Sequence, residues 1–453
     1  MKLVTPRLTI DDADGFQNDA LQRLPFGEAL SNLVIRSTDE LVISLDGKWG
    51  EGKTTFVKMW QGLLSEKGIP SIYIDAFQND YTEDAFISIA SSITSYIDKN
   101  STESEKRIEF KEKAKKVGVR LLAWGAKVGI KAATLGAIKE SDIEALSEIG
   151  DEVAGDASDA IVELVNERLN AHAKESELIQ SFRDSLSGLP SAIKDNQSGR
   201  LVVIIDELDR CKPSFAVEVL EKIKHLFSVT NVAFVLVMHK EQLEEAIKSV
   251  YGSNIDAHTY LQKFINIETT IPKRTLDQYN NDIDKYIKKL IAAHELPKWG
   301  EERLILDCLA PLARHFNLSL RQLEKTFTNI AIIYSTSEEN NLRLIPIIIF
   351  ICTLKTIKPI TFNKLLYNKI NYRELCNETN LGALTESTPD ERSLKRMMIW
   401  IEFSTLSDNE LAEASDADKE SFHHLRRSLW KYNIERDRLT QFFCEKLSMF
   451  SVH

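Results

Sequence analysis

The chain has 453 residues, 43% hydrophobic and 28% charged, the proportions of a soluble globular protein with room for two or three cores. Glycine (18) and proline (11) are sparse, which points to a helix-rich fold. The formal net charge of −11 excludes whole-molecule attraction to nucleic acid or anionic lipid, so nucleic acid is not an expected partner.

Five cysteines (Cys211, Cys308, Cys352, Cys376, Cys444) are scattered and form no CxxC pair. That spacing argues against a disulfide framework and a zinc site and fits a reducing cytoplasm. The expected location is cytoplasmic, with a peripheral position at the inner face of the membrane as the alternative. The adjacent His423 and His424 fall about 100° apart on a helix, a poor chelate. The N-terminus, MKLVTPRLTIDDADGF, lacks the apolar region of a secretory signal.

In chain order, an amphipathic segment over 19–37 carries Leu21, Leu24, Leu30 and Leu33 at helical intervals. Leu41-Val-Ile-Ser-Leu45 predicts a buried strand that ends at Asp46 and a glycine-rich turn, with a helix from Lys53 to about Lys67. Residues 70–77 predict another strand and 82–97 a helix. This β–loop–α–β alternation implies a parallel sheet with helices on its faces. A charged helical stretch follows. Strand-like runs resume at Leu201-Val-Val-Ile-Ile205 and at 231–237, separated by a helix over 213–227 that starts on proline. Beyond Pro272 the pattern is helical. The apolar run 344–354 is too short to span a membrane, which takes about 20 residues, and predicts a buried helix. The expected organisation is the N-terminal part of the sheet domain over 1–98, a helical insertion over 99–196, the rest of the sheet domain over 197–275, and a helical domain over 276–453.

Gly47-Lys48-Trp49-Gly50-Glu51-Gly52-Lys53-Thr54 matches GxxxxGK[ST] in full, after a predicted strand and before a predicted helix. Its glycines let successive N–H groups curl around phosphate oxygens, and the helix directs its positive end to the same place. Lys53 is expected to bridge the β- and γ-phosphates, Thr54 to ligate Mg²⁺, and Thr55 to touch the α-phosphate. The second element is Leu201–Arg210, LVVIIDELDR. Its strand delivers Asp206 as a second Mg²⁺ ligand and Glu207 as the group that orients and deprotonates the attacking water. His239, at the end of the run 231–237, is either a γ-phosphate sensor or a structural residue. Arg321 is either a sensing arginine from the helical domain or a surface group. Arg210 is a candidate in its own site or in a neighbouring subunit. The fold class is α/β, a P-loop NTPase with a parallel sheet flanked by helices, a helical insertion between the Walker A and Walker B motifs, and a C-terminal all-helical domain.

These motifs resemble the KAP family of P-loop NTPases. The resemblance rests on Gly47-Lys-Trp49-Gly50 and on Asp206-Glu-Leu-Asp209-Arg210-Cys211 followed by Pro213. Residues 260–264 and 318–323 are similar to its core-closing and lid segments. Asp75 and Phe77 depart from the family's Asn-Ala-Trp strand end, and His239 stands where an aspartate is usual. Many members carry two transmembrane helices between the nucleotide motifs, where this chain has a charged helical stretch. Members include prokaryotic proteins implicated in phage exclusion and animal membrane-associated signalling scaffolds, so a defence or signalling role is implied by resemblance alone.

The expected activity is Mg²⁺-dependent ATP hydrolysis driving a conformational or assembly switch. Expected partners are further copies of the chain on ATP binding and a protein of unknown identity. The main rival is a nucleotide-binding regulatory or scaffold module with little turnover. An ABC-type reading prompted by Leu186-Ser187-Gly188 fails on the residues that follow, Leu189-Pro190. In the predicted helix 117–138, Gly118, Gly125, Gly129 and Gly136 share a face opposite Arg120, Lys127 and Lys131. Packing inside the subunit is the preferred reading there, ahead of pairing between subunits and of membrane contact through Trp124.

Overall fold

A computed structural model describes residues 1–6, 10, 15–81, 84–135, 173–273, 282–297, 299–429, 432 and 434–450, with the backbone alone for 122–135, 417 and 428. Leu41–Asp46 (β1), Ser71–Asp75 (β2), Leu201–Asp206 (β3), Val232–Met238 (β4) and Ile267–Thr270 (β5) form one sheet in the order β2-β3-β4-β1-β5. Every pairing is parallel. The sheet is buried on both faces, as all-parallel sheets are. Alternate residues divide between two cores. Ile43, Leu45, Val202 and Ile204 pack with helices Leu24–Arg36 and Lys53–Glu66. Val42, Val203, Ile205 and Phe234 pack on the other side with helices Ala85–Asn100, Pro213–Lys222 and Lys240–Tyr251.

β5 is not apparent in the sequence. It is an edge strand of four residues, IETT, that exposes Glu268 and Thr270 and so lacks an apolar run. The carboxyl ends of the other strands are level, with Asp75 opposite Asp206 and Asp46 opposite Met238. β4 lies between β1 and β3, so the phosphate loop reaches the acidic pair across an intervening strand.

The segment between β2 and β3 enters and leaves at neighbouring points. Thr102 N donates to Ala192 O (3.0 Å) and Lys194 N to Asn100 O (2.8 Å). Helix Ser104–Leu135 and the helix over 173–188 bury Phe110, Val117, Phe182 and Leu186 in the sheet's own core, within a cluster of rings that includes Phe86 and Phe227. Leu186 is therefore a core residue, and Ser187 bonds the carbonyl of Thr230. At Gly118 a Cβ would meet the Phe86 ring at 3.5 Å, an ordinary contact. The side chains around Trp124, Gly125, Lys127, Gly129 and Lys131 lie outside the described residues, as does Gly136. No helix among the described residues is long and apolar enough to cross a membrane.

After β5 the described residues are helical. Their core centres on helix Ile345–Ile357, whose Ile347, Ile348, Ile349, Phe350 and Ile351 are all fully buried. Each such side chain contributes roughly 1.5–3 kcal/mol of burial free energy, which accounts for the run without a membrane. All five cysteines are buried thiols. The N-terminus ties the two lobes together. Lys2 N donates to His294 O (2.7 Å) in the helical lobe, and Gly15 N donates to Glu66 Oε1 (3.4 Å) beside the sheet.

Candidate functional site

The phosphate loop is shaped from the end of β1. Gly47 N donates to the Met238 carbonyl of β4 (3.2 Å), which anchors the loop over the sheet edge. Gly50 and Gly52 both sit at φ 81°, a left-handed conformation that disfavours side chains. Gly52 is also the N-cap of helix Lys53–Glu66, and no side chain caps it, leaving the first N–H groups to the cavity. Lys53 is buried and donates from Nζ to the carbonyls of Gly47 and Lys48. Burial lowers its pKa, opposed first by Asp209 and then by Asp206, Asp46 and Glu51. Glu51 braces the loop by accepting from Lys48 N (3.0 Å) and pairing with Lys273 (2.5 Å).

Asp206 closes β3 at 1% exposure. Its carboxylate accepts from Tyr73 Oη (2.9 Å), from Glu207 N (2.8 Å) and from the Thr54 hydroxyl. Burial raises its pKa, and those hydrogen bonds oppose the shift. A buried carboxylate touching a threonine hydroxyl, beside a cradle that only glycine can form, is an oxygen-only donor set suited to Mg²⁺ with phosphate. Among the described residues no group of three or more His, Cys, Asp or Glu converges as a metal cage. Glu207 is left-handed at φ 60° and meets Arg210 through a hydrogen bond from Nη1 to Oε2 (3.0 Å) and an ion-pair contact between Nη2 and Oε1 (2.9 Å). Burial raises the Glu207 pKa, Arg210 opposes that shift, and Asp206, Asp75 and Asp209 reinforce it. Trp49 Nε1 donates to Asp209 Oδ2 (2.5 Å), linking the loop to the segment after β3.

The helical lobe supplies the opposite wall. Helix Leu320–Ser335 starts with a reciprocal capping box between Ser319 and Gln322. That start rests on the loop. Arg321 N donates to Gly50 O (3.3 Å), and a Cβ at Gly50 would stand 2.9 Å from Arg321 Cβ and Ser319 Oγ. A cavity of about 440 Å³ therefore has walls from three regions: Lys53, Thr54, Thr55, Asp206, Glu207 and Arg210 from the sheet domain, Pro6 and Leu21 from the N-terminus, and Tyr286, Lys289 and Arg321 from the helical lobe.

Of the residues expected from sequence, Lys48, Trp49, Gly50, Gly52, Lys53, Thr54, Thr55, Asp206, Glu207, Arg210 and Arg321 border this one cavity. Gly47, Glu51 and His239 line a neighbouring one of about 400 Å³, with Asp46 and Lys273. His239 packs edge-on against Trp49 at 5.5 Å, and neither ring nitrogen has a hydrogen-bond partner. It lies behind the loop and not among the residues bordering the larger cavity. Tyr73, Asp209 and Arg23 are site residues that sequence reasoning missed. Only Asp209 carried a sequence signal, as the second aspartate of DELDR.

The family model described as the KAP family P-loop domain matches residues 23–337, more than half of the chain. No curated protein sequence matches the chain. Among solved structures, the chain is similar to the ORC2 protein of Aeropyrum pernix in ADPNP–ADP complexes, at 13% identity over 94% of each chain with a TM-score of 0.34. It is also similar to Cdc6p of Pyrobaculum aerophilum, at 12% identity over 98% of this chain and 97% of that one, with a TM-score of 0.40. At those scores both likenesses are remote. The family match spans the phosphate loop, the acidic pair and the start of the lid helix, and the chain belongs to the KAP family of P-loop NTPases.

Proposed function

We propose that the chain hydrolyses ATP in a Mg²⁺-dependent reaction and uses the cycle to reset how the helical lobe sits on the phosphate loop. The observation that carries this reading is the Arg321 N–Gly50 O contact, because it joins the lobe to the loop that holds phosphate. Backbone N–H groups of the loop bind phosphate oxygens, and Lys53 exchanges its two loop carbonyls for them. Thr54 and Asp206 would hold Mg²⁺, which when bound offsets phosphate charge and fixes its orientation. Glu207 accepts the proton of the attacking water once it leaves Arg210, and Arg210 is then free to face the developing negative charge. Arg321 brings a second cation from the lobe.

The lobe's movement would act on a protein partner or on self-association with ATP bound, in the cytoplasm, with a defence or signalling task as the family resemblance implies. Hydrogen exchange tests the coupling. With Glu207→Gln protein, the start of helix 320–335 and loop 47–52 should exchange differently in ATP and in ADP. Identical exchange in the two nucleotides would remove the switch. One observation favours the second reading, a binding module with little turnover. The Glu207–Arg210 pair occupies the base, so hydrolysis would wait on an activator that opens it.

A further inference from the structure

Arg23 precedes helix Leu24–Arg36 and lies outside both nucleotide motifs. Its backbone is fixed by Asp19, whose Oδ2 accepts from Arg23 N (2.5 Å) and Leu24 N (3.0 Å). The residue borders the 440 Å³ cavity, and its guanidinium reaches carbonyls of the phosphate loop. Nη2 donates to Glu51 O (3.1 Å) and Nη1 reaches Gly52 O (3.5 Å). A Cβ on Gly52 would stand 3.2 Å from Nη1, a tight contact at a position whose φ of 81° already favours glycine. Nε is buried without a hydrogen-bond partner. Burial lowers the Arg23 pKa, and the strongest opposing charge is Asp282, the first residue of helix Asp282–His294 in the helical lobe, ahead of Asp19 and Glu51.

A half-buried cation whose Nε has no hydrogen-bond partner is costly to hold, so its place before the helix does not explain it. Its position does. The Glu51 carbonyl belongs to the peptide whose N–H is that of Gly52, and the Gly52 carbonyl to the peptide whose N–H is that of Lys53. Those two N–H groups open the helix at the mouth of the cavity. Charge-assisted donation to a carbonyl draws electron density from its peptide, strengthens the N–H on the other side and fixes the peptide plane. We propose that Arg23 is a positioning residue for nucleotide binding. It orients the Glu51–Gly52 and Gly52–Lys53 peptides toward phosphate through their carbonyls.

This inference rests on the nucleotide reading of the cavity, and the test separates the two. Affinities of fluorescent ADP and ATP analogues, with Mg²⁺, are measured on wild type, Lys53→Ala, Arg23→Gln and Arg23→Lys, beside a melting curve of each without nucleotide. Arg23→Gln should bind both nucleotides roughly tenfold more weakly, since both lose the same loop donors. Arg23→Lys retains the charge but not the fork that spans two carbonyls, and should recover only part of that loss. A melting curve of Arg23→Gln close to that of wild type, beside the weakened binding, separates positioning of the loop from a general structural role. Wild-type affinity in Arg23→Gln would overturn the proposal. If Arg23→Gln does not fold, wild-type affinity in Arg23→Lys overturns it equally. Absence of nucleotide binding by wild type would instead overturn the function on which it rests.

Discussion

Glu207 and Arg210 of the same chain hold each other through one hydrogen bond of 3.0 Å and a second ion-pair contact of 2.9 Å, so the carboxylate proposed to activate water is tied to an arginine three residues on. The pairing follows from the left-handed backbone at Glu207, which starts the short turn Leu208–Arg210 and brings the two side chains together. Arg210 opposes the raised pKa that burial gives Glu207. A general base works only above its pKa, so activity falls as pH drops through it. Arg210→Ala removes the opposing charge and should move the acid limb of the kcat/KM profile to higher pH. An unmoved limb would show that Glu207 is not the titrating base.

Asp206 carries a shift of the same sign. Its folded pKa is raised, so relative to the unfolded chain its contribution is favourable at low pH and is lost as pH rises through the folded value. At neutral pH the charged group is a burden that a bound cation relieves. Asp206→Asn should therefore stabilise the nucleotide-free protein by roughly 0.5–2 kcal/mol at neutral pH, as is common when a strained functional group is removed. The same variant should lose the extra thermal stabilisation that Mg²⁺ adds to nucleotide. Denaturant melts across pH, with and without Mg²⁺-nucleotide, check both signs.

Gly50→Ala tests the seam between the lobes. The residue is at φ 81°, and a Cβ would meet Arg321 Cβ and Ser319 Oγ at 2.9 Å, so either the loop or the lid helix must shift. Backbone strain of this kind costs of order 1–3 kcal/mol. The expected outcome is weaker nucleotide binding with a lower urea midpoint. A variant matching wild type in both would mean the seam is loose.

Arg321→Ala should leave ADP affinity within about threefold of wild type and lower turnover by about 10–100-fold, if the arginine that borders the cavity from the lobe acts as the proposed second cation. A parallel loss of ADP binding would make Arg321 a general phosphate contact. Sedimentation of Glu207→Gln with ATP completes the comparison: assembly is expected with ATP and not with ADP, and a single monomer boundary in both would retire ATP-linked self-association.

Much of the site was legible because its parts are local. The apolar runs of β1, β3 and β4 each end on a residue that faces the same sheet edge, and the glycines of 47–52 mark the loop between them. Arg321 was legible as a polar residue at the start of a helix, within Asn317-Leu-Ser-Leu-Arg-Gln. What escaped is non-local or half-polar. β5 alternates IETT at an edge and leaves no hydrophobic signature. Arg23 has its partners at the carbonyls of Glu51 and Gly52, groups that every residue carries and no sequence displays. His239 was expected at the strand end, but strand position does not tell on which side of the loop a ring will fall, and here it falls against Trp49. The order of β4 between β1 and β3 is likewise a pairing choice that the strands' similar apolar runs do not encode.

Phosphate release from Mg²⁺-ATP, measured on purified wild type and Glu207→Gln with EDTA controls, tests the central claim most directly. Wild type should release phosphate continuously and only with the metal, while Glu207→Gln should bind ATP and release phosphate at least about 100-fold more slowly. Equal rates in the two proteins would contradict Glu207 as the base. ATP binding by wild type with no release under any metal condition would contradict hydrolysis by the isolated chain and leave the binding-module reading.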